Sequence, residues 1–276
     1  MPNIYFTNIC DFIIIYYVRS VKGIYDPESV GLYESKQKAR HFGRMKSKRR
    51  QVSESFVMLA FLILSGGLQD AYTWFYRGEV FANAQTGNVV FFGVNLFSGN
   101  FSECLKYAIP VLSFFAGVLF AETIRKVFFA VKTVHWRQIV LAAEIAVLCG
   151  VAFIPTELNV LADALVSFVC AAQVQSFRKI EGGSFASTMC IGNIRSCAES
   201  LFAAVAAKSK SALFRAAIYF GVIVLFMTGA GLGYILTNEI GSYAILASCG
   251  FLAIGFCIMF VKYEESDAPE GDKTID

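Results

Sequence analysis

Long apolar segments are the feature that most constrains the fold of this chain. Eight of them, each about 20 residues long, follow one another after residue 54. About 20 apolar residues in a helix cross the hydrocarbon layer of a bilayer, and a helix pairs its own backbone polar groups there. The chain is therefore predicted to be an all-α polytopic membrane protein. We number the segments one to eight, at residues 55–76, 80–97, 106–124, 138–155, 159–177, 185–206, 213–236 and 240–261.

Composition supports a membrane protein and argues against an enzyme. Hydrophobic residues make up 56% of the chain and charged residues 16%, against about 25% charged in soluble domains. The sequence has no nucleophile-elbow, Walker, zincin or dinucleotide motif, so we expect no catalysis. The eight cysteines form no C-x-x-C pair, so we expect no metal and no cofactor. The basic stretch 46–50 is interpreted as a contact for lipid headgroups, not for nucleic acid.

The chain divides into four parts by composition. Residues 1–53 are predicted to be a basic, cytoplasmic N-terminal extension. Its first part, 1–44, contains an apolar run too short to span, and Met45 opens a basic tail that leads into segment one. Residues 1–44 are therefore expected either to follow a misassigned start or to form an interfacial helix. Two membrane repeats are predicted at 54–155 and 156–262, followed by an acidic cytoplasmic tail at 263–276.

Segments two and six carry more polar side chains than lipid tolerates. Asp70 lies in segment one, and segment two then opens with the sequence FANAQTGN at 81–88. A shift of about 105 residues places Gly87-Asn88 on Gly192-Asn193 in segment six, which indicates a duplicated fold. Polar groups at such density predict a site or a packed protein interior.

Positive charge predicts the topology. The basic loops at 44–53, 125–137, 178–184 and 207–215 share the cytoplasmic side if segments two and six enter and leave by the same face. This arrangement gives six full transmembrane helices plus two re-entrant or broken helical segments. Three spans per repeat is an odd number, so we expect an inverted repeat. The alternative is eight spanning helices in a parallel repeat.

Twelve polar residues are candidates for function. Asp70 is predicted to be either an ion-linked carboxylate or a structural acid bonded to the turn of segment two, and the amides either bind solute or hold broken helices together. Arg195 and Glu199 lie one helical turn apart and can pair. The candidates for gating or an ion pair are Glu144, Arg195 and Glu199. The candidates for substrate binding are Asp70, Asn83, Gln85, Thr86, Asn88, Gln173, Gln175, Thr188 and Asn193.

A family resemblance rests on motifs in both halves. The first half has Gly66-Gly67-Leu68-Gln69-Asp70-Ala71 followed by residues 81–88, and the second has 173–177 followed by Thr188-Met189-Cys190-Ile191-Gly192-Asn193. On these motifs the chain resembles the YoaK-like family of bacterial inner-membrane proteins, a domain of unknown function. The resemblance covers about 52–262 and implies a multi-span fold in the inner membrane.

Two functional hypotheses follow. The first is a transporter or channel for a small solute or ion, with a polar site at the bilayer midplane where segments one, two, five and six converge. The second is a non-transport structural or interaction membrane protein, in which the polar residues only hold broken helices together. We expect membrane lipids and a small solute or ion as partners, no nucleic acid, and both termini in the cytoplasm. Assembly into a homo-oligomer is left open.

Overall fold

Eight long helices account for nearly all of the described chain. The computed structural model describes residues 56–128, 135–177, 179–180, 183–184 and 190–266, so the predictions for 1–53 and for Thr188 lie outside it. Each apolar segment contains one long helix, which confirms the all-helical prediction. The helices are α1 (Phe56–Tyr72), α2 (Gln85–Phe97), α3 (Phe101–Phe128), α4 (Trp136–Val151), α5 (Asn159–Ser176), α6 (Cys190–Ala206), α7 (Lys210–Ile240) and α8 (Ile245–Ser266).

Short elements link these helices. A π-helical turn, Thr73–Gly78, extends α1, and 3-10 turns at Thr156–Leu158 and Gly241–Ala244 precede α5 and α8. The break between α7 and α8 falls at Gly241, whose φ of 56° is a left-handed conformation that favours glycine. Two-residue strands β1 (Lys179–Ile180) and β2 (Gly183–Ser184) pair antiparallel after α5.

Four helical runs are long and apolar enough to cross a membrane within the described residues. They are Phe56–Gly78, Phe101–Phe128, Thr156–Ser176 and Lys210–Met259, the last of which contains both α7 and α8. Their hydropathy confirms the prediction of a membrane protein.

The packing of the helices follows a two-fold pattern. If α1–α4 are exchanged with α5–α8, the seven most closely packed pairs of helices map onto one another, as expected of a duplicated fold. The packing of α1 against α7 corresponds to that of α5 against α3, and the packing of α6 against α7 corresponds to that of α2 against α3. The packing of α1 against α8 corresponds to that of α5 against α4, and the pair of α4 and α8 corresponds to itself. The first helix of each half therefore packs against the third and fourth helices of the other half.

Glycines allow the backbones to touch at the two equivalent crossings. A Cβ atom added at Gly229 of α7 would lie 2.2 Å from the Leu64 carbonyl oxygen of α1, and one added at Gly117 of α3 would lie 2.1 Å from the Phe168 carbonyl oxygen of α5. Small residues at such crossings let helices pack closely in a membrane. The glycines of the crossings lie 112 residues apart and those of the Gly-Asn pairs 105, and the four extra residues of α6, with 17 against 13 in α2, account for part of this difference.

A buried arginine joins four helices where α1 ends. Arg77 has no exposed surface, and its guanidinium makes five hydrogen bonds. The acceptors are the Tyr72 hydroxyl (2.7 Å), the Ile154 and Val151 carbonyls (2.8 Å each), Asn159 Oδ1 (3.3 Å) and Ser242 Oγ (2.8 Å).

The bundle has two faces at the ends of its helices. The first face is the side where α1 and α4 end and α5 and α8 begin, and the second face is the opposite side.

The predicted topology places Arg77 on the non-cytoplasmic side, against the rule that Lys and Arg gather in cytoplasmic loops. Its environment explains this exception. The side chain lies inside protein and bonds the free carbonyls at the end of α4, where the helix dipole favours a cation. It is therefore a packing residue and not a charge on a surface loop.

We expect Gly229→Ala to destabilise the bundle and Gly231→Ala to leave it unchanged. A methyl group at 229 collides with backbone of α1, whereas nothing lies within 4 Å of one at 231. Overpacking of this kind costs about 1–3 kcal/mol. Thermal unfolding of the purified variants in detergent measures the difference, and equal midpoints would show that the α1·α7 crossing is looser than described.

We expect Arg77→Lys to lower the unfolding midpoint strongly. Lysine has three donors, so at least two of the five acceptors lose their partner, at about 1–3 kcal/mol for each buried group. The control is Arg125→Lys, because the Arg125 side chain is 52% exposed and pairs only with Glu122 among the described residues. Comparable losses in the two variants would contradict the role given to Arg77.

Candidate functional site

A cavity of about 780 Å³ opens beside the first residues of α2 and α6. Its walls are mainly aromatic and aliphatic, and Phe81 and Ala84, which precede α2, lie among them. Four of the predicted polar residues line it, namely Asp70, Asn83, Gln85 and Thr86, and so do Cys190, Ile191 and Gly192 at the start of α6. The structure thus brings the two polar segments together, as the sequence repeat suggested.

Asp70 holds the loop that precedes α2 against α1. Its Oδ1 accepts a hydrogen bond from the backbone N–H of Asn83 at 2.6 Å, and Asn83 Nδ2 donates to the Gly66 carbonyl at 3.2 Å. The chain therefore turns back after Gly78 and runs along α1 to the level of Asp70 before α2 begins. This contact matches the structural alternative for Asp70, while its role in ligand binding stays a prediction.

Asn88 and Gln85 close the first turn of α2. Asn88 has no exposed surface. Its Oδ1 accepts from the Phe81 N–H at 3.1 Å, and its Nδ2 donates to the Phe81 carbonyl at 2.7 Å and to Gln85 Oε1 at 2.9 Å. Gln85 Nε2 donates to the Ala82 carbonyl at 2.7 Å. These amides pair backbone groups that would otherwise be unsatisfied, and Asn88 lies behind the cavity wall.

Stacked aromatic rings fix the position of α2. Trp74 stacks on Phe81 with centroids 4.3 Å apart and lies 6.2 Å from Phe91, and Phe91 stacks on Tyr107 at 5.2 Å. Trp74 belongs to the end of α1 and Tyr107 to the start of α3. The middle of α2 is therefore level with the first-face ends of both helices.

Equivalent residues of the two halves face each other across the cavity. Phe114 and Phe226 both line it, and each lies three residues before the glycine of its crossing, Gly117 or Gly229. Gln85 and Thr86 line it from α2, where the repeat places Cys190 and Ile191 of α6. The cavity therefore lies between the repeats, where such folds place their sites.

Glu144 belongs to a separate polar cluster in the core. It is 1% exposed, and its Oε1 accepts from Gln69 Nε2 at 3.2 Å. Gln69 Nε2 also donates to Ser65 Oγ at 2.9 Å and to Ser248 Oγ at 3.0 Å, and its Oε1 accepts from the Cys170 thiol at 2.5 Å. Within the part of the chain that is described, Glu144 contacts no basic residue, so its role in gating stays a prediction.

The other candidates lie away from the cavity wall. Gln173 is buried, and its Nε2 donates to the Leu62 carbonyl at 3.2 Å. Gln175 bonds Glu122 on α3, and Asn193 is buried in α6. Arg195 and Glu199 pair at 3.0 Å on an exposed part of α6, with side chains 79% and 63% exposed. Their roles in binding and gating are likewise untested predictions.

Sequence reasoning missed the aromatic lining and the polar core. Trp74, Phe75, Phe114 and Phe226 line the cavity, but aromatic residues are so common in this chain that nothing marks these four. Ser65 and Gln69 lie one helical turn apart on α1, a spacing that could have indicated a shared polar face. In the described residues, no group of three or more His, Cys, Asp or Glu side chains could hold a metal ion.

One protein-family model matches most of the chain. The model of the protein of unknown function DUF1275 matches residues 58–258, most of the chain and all eight helices except the terminal residues of α1 and α8. The chain belongs to the DUF1275 family. No curated protein and no solved structure matches it. The cavity and the Arg77 contacts both lie within the DUF1275 match.

We expect Asn88→Ala to destabilise the fold by about 1–3 kcal/mol, because it leaves the part-buried Phe81 N–H without its partner and the Phe81 carbonyl with only the 3.4 Å contact from Gln85. The matched control is Asn95→Ala, further along the same helix, since the Asn95 side chain makes one exposed hydrogen bond, to the Phe91 carbonyl, among the described residues. Thermal unfolding of both variants in detergent tests this. A midpoint for Asn88→Ala equal to that of Asn95→Ala would show that the turn is held by other contacts.

Proposed function

We propose that this protein is a transporter or channel for a small solute or ion and not an enzyme, with its site in the cavity between the repeats. The observation that carries the proposal is that α2 and α6, equivalent helices of the two halves, both begin at the cavity wall. In membrane transporters, broken helices that start at the midplane present free N–H groups and a polar turn to the substrate. Irregular backbone at that depth is tolerated where it lines a cavity.

We infer six full spans and two re-entrant segments. The helix α2 has 13 residues, about 20 Å at 1.5 Å per residue, which is short of the roughly 30 Å hydrocarbon core. Gly78 lies beside the Lys106 side chain at the start of α3, so the chain enters before α2 and leaves after it by the first face. This contact favours the re-entrant arrangement over eight full spans.

The second repeat supports the opposite direction. Gly241, at the end of α7, lies against the Tyr76 ring, so α7 ends at the first face and begins at the second. The helix α6 starts at the cavity and is joined to α7 by three residues, so it leaves by the second face. We infer that the repeats are inverted.

The orientation follows from charge. Exposed basic residues at the helix ends on the second face include Arg125, Lys126 and Lys210, so we propose that this face is cytoplasmic. Within the DUF1275 family, the motifs favour a YoaK-like protein of the bacterial inner membrane. Exposed apolar side chains on α3, such as Leu112 and Phe115, support contact with membrane lipids.

A structural or interaction role is the second candidate. It is favoured by the amides of Asn88 and Gln85, whose hydrogen bonds all go to α2 or to the loop before it. On this interpretation the polar residues serve the fold alone and the cavity has no cargo.

We expect Asp70→Asn to fold and insert but to lose solute flux by at least tenfold. Asparagine keeps an oxygen that can accept the Asn83 N–H, so the loop is retained while the charge is lost. Flux of a panel of small metabolites and ions into proteoliposomes measures this, with Glu239→Gln on an exposed part of α7 as the control. Undiminished flux in Asp70→Asn would contradict the placement of the site, and no flux of any solute in the wild type would favour the structural role.

We expect cysteines at Glu79 and Gly99 to react with a membrane-impermeant maleimide from the same side. The two positions flank the re-entrant segment. In a background without the native cysteines, labelling of intact and inverted vesicles assigns each side, and a cysteine at Lys208 serves as the marker for the opposite face. Labelling of 79 and 99 from different sides would establish eight spans.

A further inference from the structure

We propose, on the basis of the transport site above, that the cavity accepts an organic cation with a primary ammonium group and an apolar body. In this arrangement the ammonium lies at Asp70 and Asn83, and the body lies among Trp74, Phe81 and Phe226.

The lining has one charged side chain, and it is an acid. Asp70 is the charged residue among the described side chains that line the cavity. Arg77, the nearest basic residue in the sequence, does not line the cavity and uses its guanidinium on five acceptors. Lys106 pairs with Glu103 at 3.7 Å. Among the described lining residues, an anionic ligand would therefore meet a carboxylate and no cation.

The N-terminus of α2 is already paired with a negative group. Its dipole would attract an anion, but Asp70 already accepts the Asn83 N–H at 2.6 Å and interacts with the backbone N–H groups of Ala82 and Ala84 in the loop that leads into α2. In the first turn of α2, the Gln85 and Gly87 N–H groups bond the Asn83 and Ala84 carbonyls. The carboxylate therefore occupies the position that an anionic ligand would take. The dipole holds Asp70 in place and leaves its negative charge for a cation.

The amide donors at the cavity are also used within the protein. Asn83 Nδ2 donates to the Gly66 carbonyl and Gln85 Nε2 to the Ala82 carbonyl. An acceptor, in contrast, is free: Asn83 is 6% exposed, and its Oδ1 has no hydrogen-bond partner among the described residues. A buried acceptor without a partner costs free energy, and a ligand N–H would satisfy it.

The rest of the wall suits an apolar, cationic molecule. Trp74 and Phe81 are stacked with centroids 4.3 Å apart, and Phe75, Phe114 and Phe226 complete the aromatic lining. Aromatic faces attract cations by about 0.5–2 kcal/mol and bury an apolar body at the same time. A carboxylate, a free acceptor and aromatic rings together complement an arylalkyl ammonium ion.

Matched probes of different charge test this inference. Phenethylammonium, 2-phenylethanol and 3-phenylpropionate have similar size and differ in charge. The chain has two tryptophans, and Trp74 lines the cavity, so in Trp136→Phe the emission reports on Trp74 alone. The titrations use protein in phosphatidylglycerol nanodiscs. Calorimetric titration of the wild-type protein with the same three probes checks that the Trp136→Phe substitution does not alter their relative affinities.

We expect phenethylammonium to change Trp74 emission saturably and the other two probes to do so at least tenfold more weakly. Two substitutions at Thr86, an exposed cavity residue, then move affinity in opposite directions. Thr86→Glu tightens binding of the cation at least threefold, and Thr86→Lys weakens it at least tenfold, while Glu239→Gln has no effect. Because both changes are at one exposed position, misfolding does not account for opposite shifts.

The remaining outcomes separate the two proposals. Saturable binding of 3-phenylpropionate or 2-phenylethanol at least as tight as that of the cation would overturn the cation class and leave the transport site intact. Absence of binding by all three probes would overturn the cation class, and the flux assay described above then decides on the transport site. Nanodiscs with added phosphatidylethanolamine distinguish the source of the ammonium: competition identifies a lipid headgroup, and unchanged affinity identifies a water-borne solute.

Discussion

The need to pair backbone polar groups away from water governs this structure. The chain leaves helical geometry after Gly78 and turns back along α1. The N–H groups of Gln85 and Gly87 in α2 bond the Asn83 and Ala84 carbonyls, but among the described residues no backbone group pairs with Phe81 or with the Asn83 N–H. Side chains pair these groups instead: Asp70 accepts the Asn83 N–H, and Asn88 bonds both backbone groups of Phe81. Each unpaired group would cost several kcal/mol in hydrocarbon. The polar residues that mark the site in the sequence are thus first of all the residues that let α2 begin there.

Arg77 solves the same problem at the other end of the loop. It saturates the carbonyls at the end of α4 and bonds the hydroxyl of Ser242, which itself donates to the Ala152 carbonyl at 2.6 Å. Four helix ends are fixed relative to one another by one planar group with five donors. With the first face fixed in this way, the glycine crossings determine how close α1 and α7 approach, and hence the shape of the cavity beside them.

Hydropathy predicted the helices well because the period and length of apolar runs are local properties. The first residues of segments two and six line one cavity, near the polar turn at 81–88, and the role of that cavity as a site stays a prediction. The partners of individual side chains could not be predicted. Gln173 and Gln175 lie two positions apart, yet one bonds α1 and the other α3, because helix rotation, not sequence, decides the neighbour. The role of Arg77 could not be predicted either, since four of its five acceptors lie 74 to 165 residues away and only Tyr72 is near in the sequence.

The exchange of partners between the halves has a consequence for biosynthesis. The helix α1, with Gln69 and Asp70 buried in its middle, packs against α7 and α8, which are translated more than a hundred residues later. At about 5–20 residues per second, α1 waits roughly 7 to 30 s in the bilayer before α7 leaves the ribosome. During that interval Asp70 can already accept the Asn83 N–H from the following loop, whereas the contact of Gln69 with Ser248 on α8 and the packing of α1 against α7 form only when the last two helices arrive.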